Sequence, residues 1–240
     1  GLGDVYKRQL EAILEETEKK IFDLIQSGSS GDYTPVRQVV LNVFEKIEKA
    51  SQTKGSITGL ETGFTKLDHQ LSGLQPSDMI LIAARPSVGK TAFVLNITET
   101  VAVKHNIPVA IFSLEMSAGQ LMNRLLSVQS RIEAGKFRSA GLTSDEYERL
   151  AYAAGKIADS PLFIDDTSGI TPTELKARCE KLKNDKTKGL GLIVIDYLQL
   201  MNGGTGRKTD SVQQEVAYIS KSLKGIARDL NVPVLSLIHI

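Results

Sequence analysis

The residues with the most chemistry in them are Gly89-Lys90-Thr91. They close a turn-forming run, Arg85 to Gly89, which follows the apolar residues Met79 to Ala84. An apolar strand, a tight loop and a helix opened by Lys90 are the physical parts of a phosphate cradle. Backbone N–H groups of the loop point inward, the helix N-terminus adds positive potential, and the Lys90 ammonium reaches the outer phosphates. Thr91 can set its hydroxyl on the magnesium ion that travels with a nucleotide. The candidate nucleotide-binding residues are therefore Ala84, Arg85, Pro86, Ser87, Val88, Gly89, Lys90, Thr91 and Ala92. The cradle pattern wants glycine where Ala84 stands, a change that is tolerable if this residue keeps an ordinary negative φ.

Carboxylates that act on a bound triphosphate should end neighbouring strands. Three positions qualify: Glu115, Asp165-Asp166 and Asp196. Asp196 follows Leu192-Ile193-Val194-Ile195, an uninterrupted run that reads as a central strand. A carboxylate there has no natural partner unless it faces an ion, which favours a magnesium-side role through water. Glu115 ends the strand after the cradle helix. It could accept the proton of a water attacking a γ-phosphate, or it could complement the dipole of the next helix. The residues alone leave both roles open. Asp165-Asp166 precede Thr167-Ser168-Gly169 and read as turn or helix-start residues.

Placing these side chains takes alternating strands and helices. Strands are expected at Met79 to Ala84, Pro108 to Ser113, Leu162 to Asp165, Gly191 to Asp196 and Val232 to Leu237. Amphipathic helices fall between them: from Lys90 to about Lys104, Ser117 to Arg131, Ser144 to Ala158, and one opened by Thr171-Pro172. A longer one carries Val212, Val216, Ile219, Leu223, Ile226 and Leu230 on one face. The pattern is α/β, a mostly parallel sheet covered by helices on both faces. Right-handed crossovers then set every strand's C-terminal end on one edge, where ligands sit. Upstream, a helix reads from Leu10, and Ser27 to Gly31 form a flexible break. A second helix starts at about Pro35 after Thr34, with Val36, Val39, Val40, Val43, Phe44 and Ile47 on one face. Between flexible joints, that stripe has to be hidden on its own domain or on a neighbouring subunit.

The totals narrow the function classes. A chain of 240 residues with 41% hydrophobic and 24% charged residues suits one large globular domain, or one domain plus an appendage. A net charge of +1 gives no global case for nucleic acid, so such a case rests on local loops. The single Cys179 excludes an internal disulfide framework and fits a reducing, cytoplasmic setting. His69 has no second His or Cys at metal spacing and reads as a surface residue. No apolar run approaches a membrane span, and no charged-then-apolar leader opens the sequence.

The order ITGLETGFTKLD, AARPSVGKTA, FSLEMS, FIDDTSGIT and LIVIDYLQLM resembles the DnaB-type replicative DNA helicases of the RecA-like ATPase group. ARPSVGKT and VIDYLQLM together are much narrower than a bare phosphate loop, and the match is dense from about Leu10 to Val234. The resemblance implies a ring of six subunits that encircles single-stranded DNA and moves along it, of 5′-to-3′ type, by hydrolysing ATP with Mg2+. By position, Lys90 and Thr91 hold phosphate and magnesium, Glu115 matches the catalytic glutamate, and Asp196 matches the second acidic motif. The helix Pro35 to Ala50 matches a linker helix that docks on the adjacent subunit, which favours the oligomer reading. The loop Asn202 to Asp210 corresponds to the first of two central-channel loops, with Arg207 and Lys208 as DNA phosphate contacts. Primase and a helicase loader are the protein partners implied, and no membrane is.

The pattern also breaks. After Val234 the family continues with a strand carrying a nucleotide-sensing glutamine, whereas this sequence reads LSLIHI. The second channel loop, the arginine finger and the globular N-terminal domain of the family have no counterpart. Residues 1–9 and 235–240 therefore read as non-native, with 10–56 as a helical linker arm and 57–234 as the ATPase domain. On this reading His239 carries no functional weight, and the piece itself does not unwind DNA. Two other classes stay in competition: a recombinase or regulatory RecA-like ATPase, and a nucleotide-binding assembly module that no longer hydrolyses.

Overall fold

Apolar runs bounded by turn residues pair with one another, and five of them do so here. The computed structural model describes residues 35–52, 57–139, 141–204 and 212–239. The expected helix from Leu10, the Ser27 to Gly31 break, Arg207 and Lys208 lie outside the described residues. By its contacts the chain divides into two units, Gly1–Ser56 and Ile57–Ile240. In the first, α1 (Val36–Gln52) is amphipathic, and Val36, Val39, Val40, Val43, Phe44 and Ile47 are all exposed.

The second unit begins with α2 (Thr65–Leu71) and then builds the sheet. Its strands are β1 (Met79–Ala84), β2 (Val109–Ser113), β3 (Leu162–Asp165), β4 (Leu192–Asp196) and β5 (Val234–His239). Every pairing is parallel, in the order β1-β5-β4-β2-β3. β2 and β4 are buried along their whole length. The crossovers are α3 (Lys90–Thr98), α4 (Ala118–Ser130), α5 (Ser144–Ala158), α6 (Pro172–Asn184) and α7 (Val212–Leu230).

Both faces of the sheet are covered, as uninterrupted apolar strands require. On one face Phe112, Ile193, Ile195 and Val234 pack with Leu175 and Cys179 of α6 and with Ile219, Leu223 and Ile226 of α7. On the other, Ile111, Val194, Leu235 and Leu237 pack with Val94, Leu95 and Ile97 of α3 and Leu121 and Leu125 of α4. Each fully buried Leu or Ile contributes roughly 1.5–3 kcal/mol, so these two layers dominate the stability. Among the described residues no helix is long and apolar enough to cross a membrane.

Several boundaries differ from the sequence reading, two of them by a change of backbone or pairing. The helix opened by Lys90 is α-helical only to Thr98; Glu99–Lys104 continues as a π-helical turn in which Glu99, Thr100, Val101 and Ala102 are all buried. The last strand starts at Val234, not Val232. Asn231 ends α7 with φ 47, and the Val232 N–H still bonds the Ala227 carbonyl at 3.1 Å. Pro233 has no N–H to give, so pairing starts with Val234.

Candidate nucleotide site

Parallel pairing brings the C-terminal ends of β1, β4 and β2 to one edge, and a cavity of ≈ 410 Å³ opens there. It is lined by Pro86, Ser87, Gly89, Lys90, Thr91, Ala92, Glu115, Met116, Arg124, Asp196 and His239. Most of the residues singled out by sequence thus converge on one space. Ala84, Arg85 and Val88 belong to the same stretch but do not line the cavity; Ala84 is half-buried at the end of β1, and Arg85 and Val88 are exposed.

The loop takes its shape from a few backbone choices. Ala84 ends β1 and is not among the residues with positive φ, so alanine fits where the pattern prefers glycine. Ser87 (φ 64) and Gly89 (φ 94) turn the chain back, and Gly89 caps α3. The Lys90 ammonium lies within 2.8 Å of the Ala84 carbonyl, 3.2 Å of the Ile238 carbonyl and 2.7 Å of His239 Nδ1. His239, which the sequence reading sets aside, stands beside this lysine because β5 pairs with β1.

Opposite the loop stand the acids. The Thr91 hydroxyl donates to Asp196 Oδ2 at 2.9 Å. Asp196 is only 4% exposed, and burial pushes its carboxyl above its ordinary pKa. The Thr91 hydrogen bond opposes that shift, the nearby Glu115 charge adds to it, and Arg124 and Lys90 oppose it. A hydroxyl and a carboxylate side by side at a helix N-terminus are the hard oxygen donors that Mg2+ takes. Among the described residues no group of three or more His, Cys, Asp or Glu side chains could hold a metal. A cation here would therefore lean on phosphate oxygens and water, as Mg2+ commonly does.

Glu115 is placed by register. Ser113 pairs with Asp196 across β2 and β4, and the Leu114 N–H donates to the Asp196 carbonyl at 2.7 Å. The Glu115 side chain follows at once, exposed and lining the cavity. Asp165 and Asp166 take the turn and helix-start roles. Asp165 accepts from the Thr167 N–H at 3.0 Å and pairs with Arg178, while Asp166 accepts from the Ala118 N–H at the head of α4. Two other cavities, of ≈ 270 and ≈ 300 Å³, flank β3; neither includes loop, Glu115 or Asp196 residues.

Arg124 is the residue that sequence reading misses. It lies on α4 between the buried Leu121 and Leu125, so periodicity marks it only as the flank of an apolar stripe. Its nearness in sequence to Glu115, across the head of a capped helix, is the available signal.

Comparison with known proteins agrees with this geometry. The family described as DnaB-like helicase C terminal domain matches residues 59–240. The replicative DNA helicase DnaC of Bacillus subtilis is 46% identical over 236 residues, 98% of this chain and 51% of that protein. The replicative DNA helicase DnaB of Geobacillus stearothermophilus is 45% identical, with 98% and 51% covered. The chain spans about half the length of the curated relatives it matches. Among solved structures, one described as an ATPase domain superposes with a TM-score of 0.80 at 32% identity, covering 87% of this chain and 72% of that one. A DnaB-like replicative helicase, solved in a study of its interactions with primase, gives 0.76 at 31% identity, covering 94% and 53%.

Proposed function

The chain belongs to the DnaB-like helicase C-terminal domain family, and we propose that it is the ATP-hydrolysing motor of a replicative DNA helicase. The observation that carries this reading is the Thr91–Asp196 hydrogen bond of 2.9 Å inside a cavity that also holds Lys90 and Glu115. It joins the phosphate loop to the acidic strand end, and so joins binding to chemistry.

ATP is the substrate this cavity fits. The loop from Ala84 to Ala92 and the N-terminus of α3 receive the phosphates, and the Lys90 ammonium neutralises the outer ones. Thr91 directly, and Asp196 through water, would hold Mg2+, which would supply charge neutralisation on the phosphate oxygens. Glu115 orients the attacking water and accepts its proton as the terminal phosphoryl group leaves. Its exposed carboxylate has no hydrogen-bond partner among the described residues, so it is free to take that proton.

The remaining parts follow the same reading. The exposed stripe of α1 binds a second copy of the chain, building a ring of six in the cytoplasm. Single-stranded DNA passes through that ring against a loop carrying Arg207 and Lys208, and primase and a loader act on the assembled protein.

The test exchanges residues 57–234 into the Bacillus subtilis relative in place of its matching segment. The exchanged protein should unwind a forked duplex with ATP, and Glu115→Gln should lower hydrolysis at least about a hundredfold. Undiminished turnover with Glu115→Gln would refute the role of Glu115, and absence of any turnover in the parent exchange would favour a non-hydrolysing assembly module.

A further inference from the structure

A general base has to aim its carboxylate at one water, yet Glu115 is exposed and makes no hydrogen bond or ion pair among the described residues. Its direction is therefore set by the backbone that carries it, the bend from Leu114 to Met116 between β2 and α4. On the β2 side two bonds hold that bend. The Leu114 N–H donates to the Asp196 carbonyl at 2.7 Å, and the buried Ser113 hydroxyl reaches across Glu115 to donate to the Met116 carbonyl at 2.7 Å. On the α4 side the capping box of Ser117 and Gln120 is internal to the helix. Among the described residues one bond comes to the helix head from outside: the Ala118 N–H donates to Asp166 Oδ2 at 2.9 Å.

Strand register brings Asp166 there. β2 and β3 pair in parallel with Phe112 opposite Asp165, so the two chains leave the sheet side by side, Asp166 next to the residues that lead to Glu115. Both neighbours of Asp166 are tied to α6. Asp165 pairs with Arg178, the Arg178 guanidinium also donates to the Thr167 hydroxyl at 2.9 Å, and the Thr167 N–H donates to Asp165 Oδ1 at 3.0 Å. Asp166 thus projects from a braced turn, and it does not line the nucleotide cavity. A carboxylate that served helix stability alone would be redundant here, because Ser117 already caps α4. What Asp166 adds is a fixed distance between the head of α4 and a second strand end.

We infer that Asp166 is a positioning residue for hydrolysis: through the Ala118 N–H it holds the head of α4, and with it the Glu115 bend, where the Glu115 carboxylate meets the attacking water. The inference rests on the reading of Glu115 as the general base. Asp166 touches no substrate and exchanges no proton; it narrows the range of positions open to Glu115. Proton transfer requires the base within hydrogen-bond reach, and a misplacement of about 1 Å can lower a rate about a hundredfold.

The test uses the Bacillus subtilis relative carrying residues 57–234, followed by steady-state ATP hydrolysis and by titration with Mg-ADP. Asp166→Ala should lower kcat at least about tenfold while KM and ADP affinity stay within about twofold of the parent. Asp166→Asn should recover most of the loss, because its side-chain carbonyl accepts the same N–H. Asp166 is exposed, so neither variant removes a buried group. A double-mutant cycle separates position from stability. On a Glu115→Gln background, Asp166→Ala should change the residual turnover by less than about twofold, since no base is left to place. Equal proportional losses in both backgrounds, a loss carried by KM, or a kcat of Asp166→Ala within about twofold of the parent would overturn the assignment. Failure of Asp166→Asn to recover would overturn it too, by assigning the loss to charge. Glu115→Gln alone separates the two levels of the claim. If it abolishes turnover while Asp166→Ala does not lower it, only Asp166 is removed; if it leaves turnover undiminished, or the parent exchange has none, the reading of Glu115 falls as well.

Discussion

Substitution of Gly89 by alanine separates the cradle's backbone from its side chains. Gly89 stands at φ 94 and ψ 22, in the left-handed region, directly before α3. An L-residue held there costs about 1–2 kcal/mol. A Cβ built on Gly89 meets no heavy atom within 4 Å, so no packing penalty is added. For a unit of this size the cost corresponds to a fall in Tm of about 2–8 °C. The added methyl projects into space that Gly89 itself lines, where a phosphate has to approach the loop N–H groups. Losing even one such charge-assisted bond costs about 1.5–3 kcal/mol, or at least about tenfold in affinity. Gly169 supplies the matched control. It has φ 66, a Cβ there also meets nothing within 4 Å, and it does not line the cavity. Thermal denaturation followed by fluorescence titration with Mg-ATP should show similar Tm losses for Gly89→Ala and Gly169→Ala. Only Gly89→Ala should lose nucleotide. Retained affinity in Gly89→Ala, or an equal loss in Gly169→Ala, would refute the reasoning.

Two further predictions concern the frame around the site. Asp68 is buried and accepts from the Thr62 N–H at 2.8 Å, the Thr62 hydroxyl at 2.7 Å and the Gly63 N–H at 3.2 Å. Asp68→Ala should destabilise the fold by about 2–4 kcal/mol, read by denaturant titration, because it leaves buried donors unpaired; a change within error would show that water replaces the carboxylate. Burial works to raise the Asp165 pKa, but hydrogen bonds from Arg178 and Thr167 overcome it and hold the carboxyl below its ordinary value. A depressed folded-state pKa stabilises above the unfolded value and is lost as pH falls through the folded one. The stability gap between the parent and Arg178→Ala should therefore be full above about pH 4 and shrink below it; a gap that widens on acidification would contradict this pairing.

Much of the site was legible because its signals are local. An apolar run, two turn residues and Gly-Lys-Thr determine strand, loop and helix within one short stretch, Met79 to Ala92. Asp196 was legible because a carboxylate ending Leu192-Ile193-Val194-Ile195 has few places to go except an ion site. The register that brings Glu115 against Asp196 is a property of β2 and β4 together, and neither strand states it alone. Arg124 stayed hidden for a related reason. Its direction depends on how α4 rolls when Leu121 and Leu125 bury themselves, and on Asp166 fixing the head of that helix from another strand. The proximity of His239 to Lys90 likewise depends on β5 inserting between β1 and β4. At the end of α3 the periodicity continues to Lys104, but the backbone widens to a π-helical turn after Thr98, which the spacing of apolar residues does not report.

The central claim is that the space between the phosphate loop and the ends of β4 and β2 is a Mg-ATP site. A calorimetric titration of the chain with ATP, with and without Mg2+, beside Lys90→Ala, measures this most directly. Magnesium-dependent binding of one ATP per chain, weakened at least about tenfold by Lys90→Ala, is the result predicted. Binding that ignores both the lysine and the metal would contradict it.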